Sequence, residues 1–233
     1  MGRTIEALGK MQGHTFTVII DEHNHEQLIS GNLKGIDAAI EFSTPATAPE
    51  NIRKCINIGV PVVTGTTGWN ETISEMEAYC REKDGTLFYS SNFSVGVNIL
   101  FALNRKLAEI MDKYPEYKIS MNEVHHVHKK DAPSGTAISL AQQILDKNKQ
   151  VSSWYLRESI DPGEAPVGQL PIEAIRKGEV MGQHSIIYES VLDSITLSHD
   201  AKTRDAFAAG ALLAATFIKN KKGVFGMQDL LNF

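Results

Sequence analysis

Short apolar runs alternate with amphipathic helical patterns along the first half of the chain, and that alternation restricts the fold more than any other feature. Residues 15–20 (Thr-Phe-Thr-Val-Ile-Ile) read as a buried strand ending at Asp21 and Glu22. Residues 38–42 are the next such run, followed by a helical pattern over 46–58. Then come strand 60–64, helix 71–81, strand 85–89 and a long helix over 97–111. Strands that alternate with helices favour a parallel sheet covered on both faces. The middle has another rhythm. Strand-like runs starting near 117, 154, 172, 184 and 194 are separated by turn-rich links such as 161–166. They predict an antiparallel or mixed sheet with the helix near Gly135 packed on it. An Ala-rich amphipathic pattern over 203–219 predicts a helix that returns to the first domain.

The loops after three of the early strands are small and polar: Phe42-Ser-Thr-Pro45, Gly65-Thr-Thr-Gly68 and Ser90-Ser-Asn-Phe93. In open parallel sheets, ligands sit beyond the carboxyl ends of the strands. Small residues there let a planar ring or a pyrophosphate approach the backbone. Gly-Thr-Thr-Gly alone is ordinary turn chemistry, but three such loops on one edge point to a ligand site. Asp21 matches the position that hydrogen-bonds an adenosine ribose; standing alone it would read as a solvated strand end.

The densest chemistry lies in Asn122-Glu-Val-His-His-Val-His-Lys-Lys-Asp-Ala-Pro-Ser-Gly-Thr-Ala137. Residues 123–128 alternate with period two and read as the end of a strand. Side chains i and i+2 share a face, so His125 points one way, and His126 and His128 the other. Pro133 ends that strand, and Ser134, Gly135 and Thr136 open a helix. N–H groups at a helix start, beside hydroxyls and Lys129, make a carboxylate or phosphate site. Proton donors beside an anion cradle are an active-site composition. The plain alternatives are a surface histidine and a simple helix cap. A zinc site on His126 and His128 lacks a third ligand by spacing, and Cys55 and Cys80 stand far away. No metal is expected.

This run resembles the signature of the dihydrodipicolinate reductase family, enzymes of bacterial and plant lysine and diaminopimelate synthesis. Similar segments are Glu41-Phe-Ser-Thr-Pro45, Gly65-Thr-Thr-Gly68, Ser91-Asn-Phe-Ser-Val-Gly-Val97 and Gly182-Gln-His184. Two more are Ser198-His-Asp-Ala-Lys-Thr-Arg204 and Gly223-Val-Phe-Gly-Met-Gln-Asp-Leu230, so the likeness spans almost the whole chain. It implies a Rossmann-like dinucleotide-binding domain over 1–96 and 205–233. An α+β domain with a mixed sheet, over 97–204, would bind substrate and form a homotetramer. It also implies hydride transfer from NADH or NADPH to a cyclic unsaturated dicarboxylate. His125 would be the proton donor, Lys129 the essential cation, and Ser134, Gly135 and Thr136 the substrate cradle, with His126 a further contact. The cofactor would lie on Met1, Gly2, Asp21, Gly65, Thr66, Thr67, Ser90, Ser91, Asn92 and Phe93. His128 and Lys130 would have supporting or surface roles, and Asp131 would orient Lys129 or cap the turn. NADH should be favoured, because Asp21 and Glu22 put negative charge where a 2′-phosphate would lie and no Lys or Arg follows until Lys34. The rivals are a metal hydrolase using His126 and His128, and a non-catalytic homologue that keeps the fold.

The formal charge of −5, with Lys and Arg scattered, argues against nucleic acid as partner. Two isolated cysteines, no span-length apolar run and no signal pattern fit a reduced cytoplasmic protein without membrane contact. A dinucleotide-binding domain of this family begins with an apolar strand running into a glycine loop. This sequence opens at Met1-Gly2-Arg3, which aligns with the end of that loop, and residues 4–11 read as the helix that follows it. The expectation is a natural start roughly ten residues upstream, the length of a short strand and turn. The alternative is a shortened protein with weak dinucleotide affinity.

Overall fold

A computed structural model describes residues 1–29, 31–157 and 165–233; the 161–164 part of the turn-rich link lies outside the described residues. The elements, in chain order, start with α1 (Gly2–Met11), β1 (Ala39–Glu41), α2 (Ala48–Ile58), β2 (Val62–Thr64) and α3 (Asn70–Glu82). β3 (Thr86–Tyr89), α4 (Val95–Met111), β4 (Lys118–His125), α5 (Gly135–Leu145) and β5 (Ser153–Arg157) follow. The last are β6 (Gln169–Arg176), β7 (Gln183–Glu189), β8 (Ser194–Asp200), α6 (Asp205–Ile218), β9 (Gly223–Phe225) and α7 (Met227–Leu231). The chain forms two compact units, Met1–Val95 with Asp205–Phe233, and Gly96–Arg204.

The first unit is a parallel sheet in the order β1-β2-β3-β9. Alternate residues of each strand face opposite sides. Val63 and Phe88 pack with Ala208, Ala211 and Leu212 of α6 and Ile5 of α1. Their neighbours Val62 and Leu87 pack with Ile52 and Cys55 of α2 and Met76 and Cys80 of α3. Both faces are thus covered, which is why consecutive residues such as Val62-Val63 and Leu87-Phe88 are apolar. Burial raises the Cys55 thiol to about 12, so it is a core residue and an unreactive one. At Gly210 in α6 a Cβ would lie 1.8 Å from the Phe93 carbonyl oxygen, so the helix reaches that loop only because the position is glycine.

Residues 15–20 are not the buried strand that their alternation predicts. Thr15, Thr17 and Ile19 are exposed, Phe16, Val18 and Ile20 are half-buried, and the segment has no strand assignment. An extended run becomes a strand only when a neighbour takes its N–H and C=O groups. Here β1 is the terminal strand of its sheet. Asp21 consequently sits in an exposed turn instead of at a strand end. Its carboxylate accepts from the His23 N–H at 2.9 Å, and its own N–H donates to Asn24 Oδ1 at 2.7 Å. β9, at three residues, is too short to show a period in the sequence.

The second unit is a mixed sheet in the order β5-β6-β4-β7-β8, with β5, β6 and β4 parallel and β4, β7 and β8 antiparallel. One face carries Ile119, Met121, Leu170, Ile172, Ile186 and Tyr188 against α4 and α5. Buried Asn104 of α4 ties the two helices by donating to the Leu140 carbonyl at 3.0 Å. β4 ends at His125, so its period-two run stops three residues before His128. Residues 126–129 instead form a turn, closed by the Lys129 N–H on the His126 carbonyl at 3.2 Å. Among the described residues, no helix is long and apolar enough to cross a membrane.

Candidate active site

The core face of β4 reads Ile119, Met121, Glu123, His125: two apolar residues and then two polar ones, all buried. Glu123 has no exposed surface. A buried carboxylate is tolerable only if its oxygens are filled and its charge answered. Both happen here. The Ser134 N–H donates to both oxygens, at 3.1 and 3.0 Å, and the Arg176 guanidinium donates to Oε1 at 3.1 Å. The sheet register explains the convergence. His184 lies opposite Glu123 on β7, and Arg176 pairs with His125 on β6. His184 Nε2 is 3.1 Å from the Ser134 hydroxyl, and that hydroxyl caps α5 by accepting from the Ala137 N–H at 3.2 Å.

His125 Nδ1 stands 3.4 Å from Glu123 Oε2, an ion-pair distance longer than a good hydrogen bond. Its ring meets that of His184 edge to face at 5.2 Å. A Cβ on Gly182 would come within 3.0 Å of Nε2, so the missing side chain leaves room beside that nitrogen. Burial lowers the His125 pKa; Glu123 and Asp131 oppose this, while Lys129 and Arg176 add to it. Burial drives His184 further, to about 4. Both imidazoles are therefore neutral in the resting protein at pH 7.

Lys129 follows the turn and pairs with Asp131 at 2.8 Å, which settles Asp131 as a partner of Lys129. The Arg176 guanidinium also holds the loop itself, donating to the carbonyls of Lys129 at 3.3 Å and Asp131 at 2.6 Å. Ser134, predicted as a substrate contact, has its N–H and hydroxyl engaged inside the protein. Gly135, the next residue, is exposed at the helix start, with Thr136 beside it half-buried. His126 and His128 are neighbours, ring centroids 6.0 Å apart, and exposed His128 Nε2 lies 3.3 Å from Glu179. One donor atom each from Glu123, His125 and His184 lies within 4.8 Å of the others, as metal ligands would. The guanidinium already on Glu123 supplies the positive charge there, so the cluster is built as an ion pair.

In the first unit the three predicted loops meet at the carboxyl edge of the sheet. Buried Glu41 joins two of them: Oε1 accepts from the Ser43 N–H at 2.8 Å and the Thr66 hydroxyl at 3.1 Å, and Oε2 from the Thr64 hydroxyl at 2.5 Å. A Cβ on Gly65 would fall 2.2 Å from the Phe42 ring and 2.9 Å from Phe93, so that glycine lets both aromatics close over the loop. Ser90 and Asn92 fold the third loop on itself through the Ser90 hydroxyl, which accepts from the Asn92 N–H at 3.2 Å. Thr67 and Ser91 are exposed on these loops, and Met1 and Gly2 are exposed where α1 opens. Glu123, Arg176, His184 and Glu41 are site positions that periodicity and spacing alone do not assign. The two glutamates carried a signal, since each is a charge at an apolar-face position of a strand.

Two family models cover nearly the whole chain. One described as the N-terminus of dihydrodipicolinate reductase matches residues 1–93, and one described as its C-terminus matches 96–231. A 4-hydroxy-tetrahydrodipicolinate reductase from Christiangramia forsetii is 42% identical over all of this chain and 94% of its own length. Among solved structures, the dipicolinate-bound dihydrodipicolinate reductase from Paenisporosarcina sp. TG-14 superposes with a TM-score of 0.65 at 24% identity. It covers 83% of this chain and 73% of its own. A probable dehydrogenase from Thermotoga maritima shares the fold with a TM-score of 0.51 at 14% identity, over 98% of this chain and 82% of its own.

His184 makes stability depend on pH. Its unfolded imidazole takes a proton near 6.5 and the folded one only near 4. The unfolded state therefore binds more protons between these values, so stability is full above about 6.5 and is lost as pH falls toward 4. We expect about 2 kcal/mol to be lost already at pH 5. Urea midpoints at pH 7 and pH 5 should differ clearly less for His184→Gln than for the unaltered protein; equal differences would refute this.

Proposed function

The chain belongs to the dihydrodipicolinate reductase family, and we propose that it carries out that family's reaction, in which 4-hydroxy-tetrahydrodipicolinate loses its hydroxyl as water and takes up a hydride from NADH or NADPH and a proton, giving tetrahydrodipicolinate and the oxidised nicotinamide. It is an NAD(P)H-dependent oxidoreductase. The observation that carries the reading is the union, in one network, of a buried imidazole, an ammonium and a helix start.

A dicarboxylate needs two cationic or N–H-rich seats. Lys129 supplies one, since its ammonium has three donors and Asp131 does not exhaust them. The start of α5 at Gly135 and Thr136 supplies the other, with the helix dipole behind it. Ser134 serves this seat from beneath by fixing the helix start, and His126 stands at the adjoining turn. His125 is the acid. In the resting protein burial and the flanking cations hold it neutral. Two incoming carboxylates offset Lys129 and Arg176, raise its pKa and favour its protonated form once substrate is bound. Nε2, the nitrogen beside Gly182, then delivers the proton to the electron-rich ring atom left by reduction.

When bound, the reduced nicotinamide supplies the hydride. The first unit's loops fit such a group: Thr66, Thr67, Ser90, Ser91 and Asn92 offer small polar donors and acceptors, and Gly65 and Phe93 shape the backbone between them. The opening of α1 at Met1 and Gly2 offers helix-start N–H groups suited to phosphate. Exposed Asp21 and Glu22 place negative charge that disfavours a 2′-phosphate. For the second unit we propose assembly into a tetramer through its sheet. Val124 and Ile187 on the helix-free face are only half-buried, and Ile195 on terminal strand β8 is exposed.

Lys129→Ala and His125→Ala should each reduce turnover about 100-fold or more while leaving the protein folded. The assay follows reduced-nicotinamide absorbance, with substrate generated in situ by the preceding synthase; near-full activity in both variants would remove them from the site. In the same assay kcat/KM should be higher with NADH than with NADPH, and a strong preference for NADPH would overturn the charge argument. Light scattering at working concentration should give a tetramer mass, and a monomer mass would reject that assembly.

A further inference from the structure

Within the proposed reaction, Glu123 is not itself one of the two carboxylate seats, yet it bonds to residues that hold both: Ser134 at the start of α5 and Arg176, which holds the Lys129 loop. Its carboxylate fixes the start of α5 through the Ser134 N–H, on both oxygens. It anchors Arg176, whose guanidinium holds the carbonyls of Lys129 and Asp131 and so the loop bearing the ammonium. It also faces Nδ1 of His125. Proton donor, cation and helix start lie on three different local structures (a strand end, a loop and a helix start), and this one carboxylate, with Arg176 from β6, ties all three.

We propose that Glu123 is the positioning residue of the reductase site, setting the α5 anion seat, the Lys129 loop and the His125 ring together through one buried charge. This rests on the proposed function only for the names of the groups positioned; the linkage is a matter of geometry. Its physical basis is the intolerance of a buried carboxylate for misplacement. With no exposed surface, Glu123 cannot exchange a lost protein donor for bulk water. Displacing the α5 start therefore leaves an unsatisfied anion, and so does displacing Arg176. The same charge directs Nδ1–H of His125 inward and leaves Nε2 facing the space beside Gly182. On the far side, His184 braces the Ser134 hydroxyl from β7.

The groups acting on His125 are Glu123 on its own strand, Arg176 on β6, His184 on β7, and Lys129 and Asp131 on the loop that follows. Of these, the two carboxylates alone favour the protonated ring, and Glu123 is the stronger. Removing its charge leaves Arg176 and Lys129 less opposed, so the His125 pKa must fall further.

The test combines two variants and two readouts on the full chain. Ring-nitrogen NMR titration with labelled histidine reads His125 without needing activity, and calorimetry with dipicolinate reads the anion seat. Glu123→Gln, which removes the charge, should lower the His125 pKa by about one unit and weaken dipicolinate about tenfold or more. Glu123→Asp keeps the charge but withdraws it by one methylene. It should weaken dipicolinate similarly while moving the His125 titration far less, a split that a general loss of packing would not give. If Glu123→Gln does not fold, the Asp variant decides alone: wild-type dipicolinate affinity in it overturns the proposal. Unchanged titration and affinity in a folded Gln variant also overturn it. Should the unaltered protein neither bind dipicolinate nor oxidise reduced nicotinamide, the functional reading falls, while the His125 titration in Glu123→Gln still upholds or rejects Glu123 as the residue that sets that ring.

Discussion

A carboxylate with no exposed surface sits at the end of β4, and the second unit is arranged around making it tolerable. Moving a charge from water into a protein interior costs several kcal/mol unless partners replace the lost solvent. Glu123 meets the requirement with a guanidinium from β6 and an amide from the start of α5. Satisfying the carboxylate and assembling the site are thus the same structural event. The sheet order matters for the same reason. β4 lies between β6 and β7, so a residue on it can take partners from both neighbours.

The first unit contains a second buried carboxylate, Glu41, solved differently. There the donors are hydroxyls of Ser43, Thr64 and Thr66 with the Ser43 N–H, all at the carboxyl edge of the parallel sheet. Hydroxyls are short and rotate, so they draw adjacent loops together without bringing in a long cationic side chain. That keeps the edge small and polar, as a planar ligand requires. In the second unit the answering charge comes on an arginine long enough to reach both the carboxylate and the loop carbonyls beyond it.

Local periodicity made much of this legible from sequence. The helices from α2 through α6 and the runs that become β1, β2 and β3 carry patterns whose ends tertiary context shifts by only a residue or two. The mixed middle sheet was legible as a change of rhythm, and the run from Asn122 to Ala137 as a concentration of chemistry. What could not be read depends on partners distant in the chain. Residues 15–20 have strand chemistry, but only a neighbouring strand can make them one, and their own alternation carries no information about that neighbour. The engagement of the Ser134 N–H by Glu123 was hidden because any helix start looks like a free anion site until its occupant is seen. Arg176 gave no sign at all, since a lone arginine at a strand end usually reaches solvent. His184 stood in a short motif, but its role emerges only from the antiparallel register that sets it opposite Glu123.

The first unit is assembled from both ends of the chain, Met1–Val95 and Asp205–Phe233, whereas the second is one continuous stretch. β9 completes the parallel sheet beside β3, and α6 covers Val63 and Phe88. During synthesis, at about 5–20 residues per second, the early strands emerge well before the helix that covers one of their faces. The stretch from Gly96 to Arg204 emerges in full before α6 does. The order of completion therefore inverts the order of synthesis: the stretch from Gly96 to Arg204 can close its own core while the early strands, with α1 alone on one face, still wait for α6 and β9.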